Sequence, residues 1–150
     1  MKLDLSKFKH ITTGEVKFEE VDSFGIVHNI KYLYWIEHAR TQYFFDIGLP
    51  KNKDFFSQQF PLVTVHTKID YFNSCEFTDE YKVYTRVSQI RNSSVKFENV
   101  ITLKAGRPIA HVDGVLVYMD AKTKKVERLP DALRDLVQNY EGDKCEVINE

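Results

Sequence analysis

The sequence predicts an α+β fold, one long helix set against an antiparallel sheet of about five strands, on three observations. Residues 29–47 carry apolar side chains at near-helical spacing, with Tyr32, Tyr34, Trp35 and Phe45 filling the positions between Ile30, Leu33, Ile36, Tyr43, Phe44 and Ile47. Four later segments, 62–72, 80–90, 95–103 and 109–119, alternate with a period of two. The sequences between them, Asn73-Ser74, Arg91-Asn92-Ser93 and Ala105-Gly106-Arg107-Pro108, are short and rich in turn residues, which suits antiparallel neighbours. A sheet curled around a nearly all-round apolar helix buries both at once.

In chain order, residues 13–21 alternate Val16, Phe18 and Glu20 against Glu15, Lys17 and Glu19, a strand solvated on one side. Asp22-Ser23-Phe24-Gly25 breaks it, because glycine permits a turn that a β-branched residue resists. The helix from Asn29 follows and ends at Gly48-Leu49-Pro50, glycine as a left-handed cap and proline refusing to continue. After a polar loop over 51–59, the four long strands form a meander. A charged turn spans 120–125, Leu129-Pro130-Asp131 opens a short last helix, and the acidic tail over 141–150 is expected to fray. Residues 1–150 show no repeat or linker and read as one domain.

Composition narrows the function classes. Twenty-one Lys and Arg face 22 Asp and Glu, a net charge of −1, and the one basic cluster is Lys122, Lys124 and Lys125. That balance argues against nucleic acid as partner. Apolar runs break well before the roughly 20 residues of a membrane span, so no membrane insertion is expected. Cys75 and Cys145 have no ligand spacing, and an acid within Met1-Lys2-Leu3-Asp4-Leu5 interrupts any leader, so a cytoplasmic chain with reduced thiols is expected. An open sheet leaves edge strands unpaired, which points to a homo-oligomer formed by sheet extension.

Nucleophile elbows (GxSxG), phosphate loops (GxxxxGK), HExxH and GxGxxG are all absent from the sequence. The five histidines have no tight ligand spacing, and no metal is expected. Residues 21–29 are different, since they set an acid and a flexible turn immediately before the buried helix. The first N–H groups of that helix carry no intrahelical partner and a partial positive charge, and would polarise a carbonyl placed there, with Asp22 opposite. Asp22 has a second reading, as an Asx turn or helix cap. Tyr32 and Trp35 likewise read as either core or ligand wall.

Phe18, Asp22, Gly25-Ile26-Val27, Tyr32, Trp35, Glu37 and Ala39-Arg40 together resemble the signature of the hotdog-fold acyl-CoA thioesterases of the 4-hydroxybenzoyl-CoA thioesterase type, including the YbgC-like enzymes. The resemblance continues more weakly through Leu62-Val63, Asp79, Arg91-Asn92-Ser93-Ser94, Val117-Tyr118-Met119-Asp120 and Leu129-Pro130. It implies a single hotdog domain, Asp22 as catalytic carboxylate, the turn at Gly25, and the Asn29 backbone N–H as donor to the thioester carbonyl. It also implies an active site between two subunits of a dimer or tetramer. Here Glu20 stands where relatives often carry Asp, and Asn29 where YbgC-like members carry His.

A thiol leaves with a pKa near about 8.5, so departure of sulfur needs no strong general acid and one carboxylate is enough. Asp22 would attack the carbonyl directly or deprotonate an attacking water. The turn Arg91-Asn92-Ser93-Ser94, with Lys96 nearby, resembles the family's coenzyme A contact, where cations meet phosphates. Tyr32, Trp35, Val63 and Thr64 are the candidate acyl walls. No cofactor is expected, coenzyme A being part of the substrate. The alternatives are an acyl-carrier-protein thioesterase and a noncatalytic acyl-CoA binding module.

Overall fold

The computed structural model describes residues 3–149. Met1 and Lys2, part of the start read as leader-free, and Glu150, the end of the expected tail, lie outside the described residues. The helices are α1 (Asn29–Asp46) and α2 (Asp131–Glu141). The strands are β1 (His10–Glu15), β2 (Leu62–Tyr71), β3 (Glu80–Ile90), β4 (Ser94–Leu103), β5 (Pro108–Tyr118) and β6 (Glu146–Val147). One sheet runs in the order β1-β3-β4-β5-β2, with β6 added in parallel on β3. The expected α+β architecture is present, with its connectivity corrected: only β3-β4-β5 form a meander. Asn73-Ser74 is not a hairpin, because Phe72 N–H bonds Ile109 C=O (2.8 Å) and Cys75 C=O accepts from Val27 N–H (2.9 Å), leading the chain away from β2 before β3 begins.

Contacts divide the residues into two units, one holding residues up to Tyr43, Ile69–Arg86 and Asn99–Val112, the other Phe44–Lys68, Val87–Glu98 and the chain from Asp113 onward. In the first, Tyr32, Trp35, Ile36 and Ala39 of α1 meet Val83 of β3, Ile101 of β4, and Ile109, Ala110 and Val112 of β5. Burying a side chain such as Ile36 contributes about 1.5–3 kcal/mol. A buried polar chain joins the same elements: Arg40 Nε donates to Asn99 Oδ1 (2.9 Å), and Asn99 Nδ2 donates to Thr85 Oγ1 (2.8 Å). The helix is not buried on most sides as expected, since Ile30 and Tyr34 are more than half exposed on its other face.

The strand expected over 13–21 also needs correction. β1 starts at His10 and stops at Glu15, and residues 18–20 form a short 3-10 turn. Glu20 Oε1 accepts from Lys17 N–H (2.8 Å), a local bond that competes with extended backbone.

In the second unit, Phe44 packs edge-on against Phe97 and meets Phe55. Residues 55–59, expected as polar loop, wind into a π-helical turn because the ring cluster recruits Phe55, which is 1% exposed. Leu129, Leu133 and Val137 are buried around α2. The tail expected to fray is docked instead: Glu141 is buried and accepts from Val87 N–H (2.9 Å), Cys145 is buried, and Ile148 N–H bonds Ile90 C=O (2.8 Å).

Candidate active site

Within the first unit, the segment after β1 closes a small loop at Asp22. Asp22 N–H bonds Ile26 C=O (2.9 Å) and Gly25 N–H bonds Asp22 C=O (3.0 Å). Asp22 Oδ1 accepts from Phe24 N–H (2.8 Å) and Ile26 N–H (3.2 Å), the Asx turn of the structural reading. Both bonds use one oxygen, and Oδ2 of this half-buried residue has no hydrogen-bond partner among the described residues. Gly25 has φ +75°, a backbone that L side chains rarely adopt, while nothing lies within 4 Å of a Cβ placed there. Conformation alone, not space, requires glycine. The far limb of the loop is pinned by the Ile26–Glu76 bridge and by Phe77 N–H to Gly25 C=O (2.9 Å).

Four residues after Gly25, α1 opens at Asn29, which is exposed and whose N–H has no acceptor among the described residues. Tyr71 Oη donates to Asn29 C=O (3.3 Å). The loop carboxylate and the open helix end therefore belong to one unit. Its rim is aromatic: Phe24 is 86% exposed at the loop tip, and Phe18 packs edge-on against Phe77 (5.9 Å). Sequence reasoning passed over Tyr71, Phe24 and Phe77. Only Phe24 carried a signal, an aromatic residue set within a polar turn.

Tyr32 and Trp35 lie in the same unit, facing its core. Tyr32 is 3% exposed, its hydroxyl accepts from Cys75 N–H (3.1 Å), and burial pushes its pKa up to about 12. Burial likewise pushes the Cys75 thiol up to about 11. Trp35 stacks on Tyr81 (3.8 Å, 8°) and donates from Nε1 to Glu20 Oε2 (2.5 Å). Both side chains are buried, and Trp35 also borders a cavity of about 300 Å³ beside Glu20 and His38.

Val63, Thr64, Arg91, Ser93, Ser94 and Lys96 belong to the second unit. Val63 and Thr64 are exposed on β2. Arg91 N–H bonds Ser94 C=O (2.9 Å) in a tight hairpin, and Ser93 C=O accepts from Tyr118 N–H (2.8 Å). The Arg91 guanidinium is half-buried and donates from Nε to Gln89 Oε1 (3.0 Å). Lys96, also half-buried, offers its carbonyl to Ser88 Oγ (3.2 Å). Arg134 of α2, which sequence reasoning missed, is buried and donates from Nη1 to Arg91 C=O (2.9 Å), bracing the turn from below.

A family model described as the thioesterase-like superfamily matches residues 16–137. Among characterised relatives, the acyl-CoA thioesterase YbgC of Haemophilus influenzae is 30% identical over 83 residues, which is 55% of this chain and 61% of that protein. The match thus spans less than two thirds of YbgC. The chloroplastic acyl-acyl carrier protein thioesterase ATL3 of Arabidopsis thaliana is 26% identical over 131 residues, 87% of this chain and 67% of that protein. The solved thioesterase of Thermus thermophilus, complexed with coenzyme A and zinc, superposes with a TM-score of 0.80 at 28% identity, covering 91% of this chain and 97% of that one.

Proposed function

The chain belongs to the thioesterase-like superfamily, and from that premise we propose that it is an acyl-CoA thioesterase, hydrolysing a coenzyme A thioester to a free acid and coenzyme A. The observation that carries the reading is the division of labour at Asp22: Oδ1 holds the loop, and Oδ2 is left without a partner among the described residues beside a helix start whose Asn29 N–H is open. In this reading the Asp22 carboxylate acts on the thioester carbonyl carbon, as nucleophile or through a water. The carbonyl oxygen gathers negative charge at the Asn29 N–H. The C–S bond breaks, the thiolate of coenzyme A departs and takes up a proton, and water supplies the oxygen of the new carboxylate.

Coenzyme A enters as part of the substrate. Arg91, Ser93, Ser94 and Lys96 are its proposed contacts, with Arg134 holding their turn, and Val63 and Thr64 are proposed acyl contacts. Tyr32 and Trp35 act as buried supports of the helix start. We read residues 1–150 as one domain working in the cytoplasm as a dimer or tetramer. The likeness to the Arabidopsis carrier-protein enzyme favours a second reading, a thioesterase acting on acyl carrier protein. Rates on free coenzyme A thioesters against carrier-bound ones separate the two.

The test of the chemistry is Asp22→Asn. Asparagine keeps an Oδ1 that accepts from Phe24 and Ile26, so the loop and ester binding survive. The amide neither attacks a carbonyl nor takes a proton, and kcat is expected to fall by at least about a hundredfold with KM nearly unchanged. A folded Asp22→Asn protein with wild-type kcat refutes the assignment. Binding of coenzyme A esters with no turnover in wild type favours the noncatalytic module.

A further inference from the structure

The structure assigns Glu20 as a positioning residue that holds the Asp22 loop in register with the start of α1, an inference that rests on the thioesterase reading of Asp22. Three bonds converge on this half-buried residue. Its Oε2 accepts from Trp35 Nε1 (2.5 Å), its Oε1 accepts from Lys17 N–H (2.8 Å), and its carbonyl accepts from His28 N–H (3.0 Å). The other bonds of the loop, from Val27 to Cys75, Ile26 to Glu76 and Phe77 to Gly25, pin it to residues 75–77 and not to the helix. Glu20 reaches α1 itself, at Trp35, and the residue next before the helix, at His28.

The anchor it reaches is rigid. Trp35 is 6% exposed with its ring flat against Tyr81, and a Cβ at Gly14 would collide with Tyr81 Oη, so glycine there is what lets Tyr81 lie as it does. Asp22 is two residues from Glu20 on the loop side, and Asn29 is six before Trp35 on the helix side. The Glu20–Trp35 bond therefore adds a side-chain tie to the Glu20–His28 backbone bond in fixing the carboxylate relative to the N–H group that must act on one carbonyl. A misplacement of about 1 Å costs about a hundredfold in rate. Loss of the carboxylate need not unfold the chain, since a cavity of about 300 Å³ bounded by Thr12, Lys17, Glu20 and His38 lets water reach the vacated partners.

Trp35 is the chain's one tryptophan, so its fluorescence reads the bond directly. The experiment measures emission, kcat and KM on a coenzyme A thioester for wild type, Glu20→Ala, Glu20→Gln, Trp35→Phe, Glu20→Ala/Trp35→Phe and Asp22→Asn. Glu20→Ala is expected to shift Trp35 emission and lower kcat by about ten- to a hundredfold with KM little changed. Glu20→Gln, which keeps one acceptor oxygen, falls between it and wild type. Trp35→Phe keeps a ring on Tyr81 but removes the donor, and the double variant is expected to be no slower than the worse single one. Wild-type kcat in Glu20→Ala despite shifted emission overturns the proposal, as do losses that multiply in the double variant. Full activity in Asp22→Asn instead overturns the reading of Asp22, whichever way Glu20 behaves.

Discussion

Gly25 shows how one residue can be constrained by conformation alone. Its φ of +75° lets Asp22 Oδ1 collect two N–H groups from the chain ahead, while open space surrounds the position of its missing Cβ. Gly25→Ala is therefore expected to cost about 1 kcal/mol through backbone strain and to lower kcat by shifting Asp22, as urea unfolding beside steady-state assays will read. The Asp-x-x-Gly pattern was legible because short polar residues and a glycine have few other uses between a strand and a helix. Whether Tyr32 and Trp35 are wall or core was not legible, since an aromatic residue at helical spacing looks the same either way until Cys75, Tyr81 and Glu20 are seen around it. Those buried groups also set an alkaline limit. Tyr32 and Tyr81 are raised from 10.0 to about 12, and Cys75 from 9.0 to about 11, chiefly by burial. The folded state favours the protonated form of each, so the stability they contribute is present below pH 9 and lost as pH rises through about 11 for the thiol and about 12 for the phenols. Urea midpoints at rising pH should decline over that window, and a flat profile would contradict it. Thiol-reactive dyes should label Cys75 far more slowly in the native than in the unfolded chain.

Among the elements, β3 was legible to the residue because its period-two segment is bounded by Glu80 and by the Arg91 turn. Apart from residues 16–20, where a local Lys17–Glu20 bond wins over extended backbone, the misread segments are those where a partner outside the segment decides. β2 leaves for β5 because Ile109 C=O takes Phe72 N–H. Residues 55–59 wind up because Phe55 joins Phe44 and Phe45. The tail docks because Glu141 meets the Val87 amide, a contact over 54 residues that no local pattern announces. This last element carries a prediction. Glu141→Ala leaves the buried Val87 N–H without its acceptor, and the expected cost is about 1–3 kcal/mol. Glu141→Gln keeps an acceptor oxygen and should recover part of that loss. Equal urea midpoints for all three proteins would show that water replaces the carboxylate without penalty.

On the scale of the whole molecule, β2 is the end strand of the sheet and is exposed along most of its length, with Val63 and Val65 46% and 60% exposed. A long edge strand with exposed valines invites pairing with another strand, and it carries no proline to blunt it. A second copy of the chain is the partner we predict, because two identical β2 edges related by a two-fold axis pair antiparallel and use each other up, leaving no β2 edge to grow from. Val65→Lys places a charge on the proposed seam, and Thr64→Pro removes a backbone N–H from that edge strand. Neither residue is buried, so the folded chain should tolerate at least the first. Sedimentation is expected to show wild type as a dimer or tetramer at micromolar concentration and Val65→Lys as a folded monomer. Turnover of Val65→Lys should be well below wild type at low protein concentration and should recover as concentration rises, because a site shared between subunits depends on association. A wild-type chain that sediments as a stable, fully active monomer would sink the shared site while leaving the chemistry of Asp22 untouched.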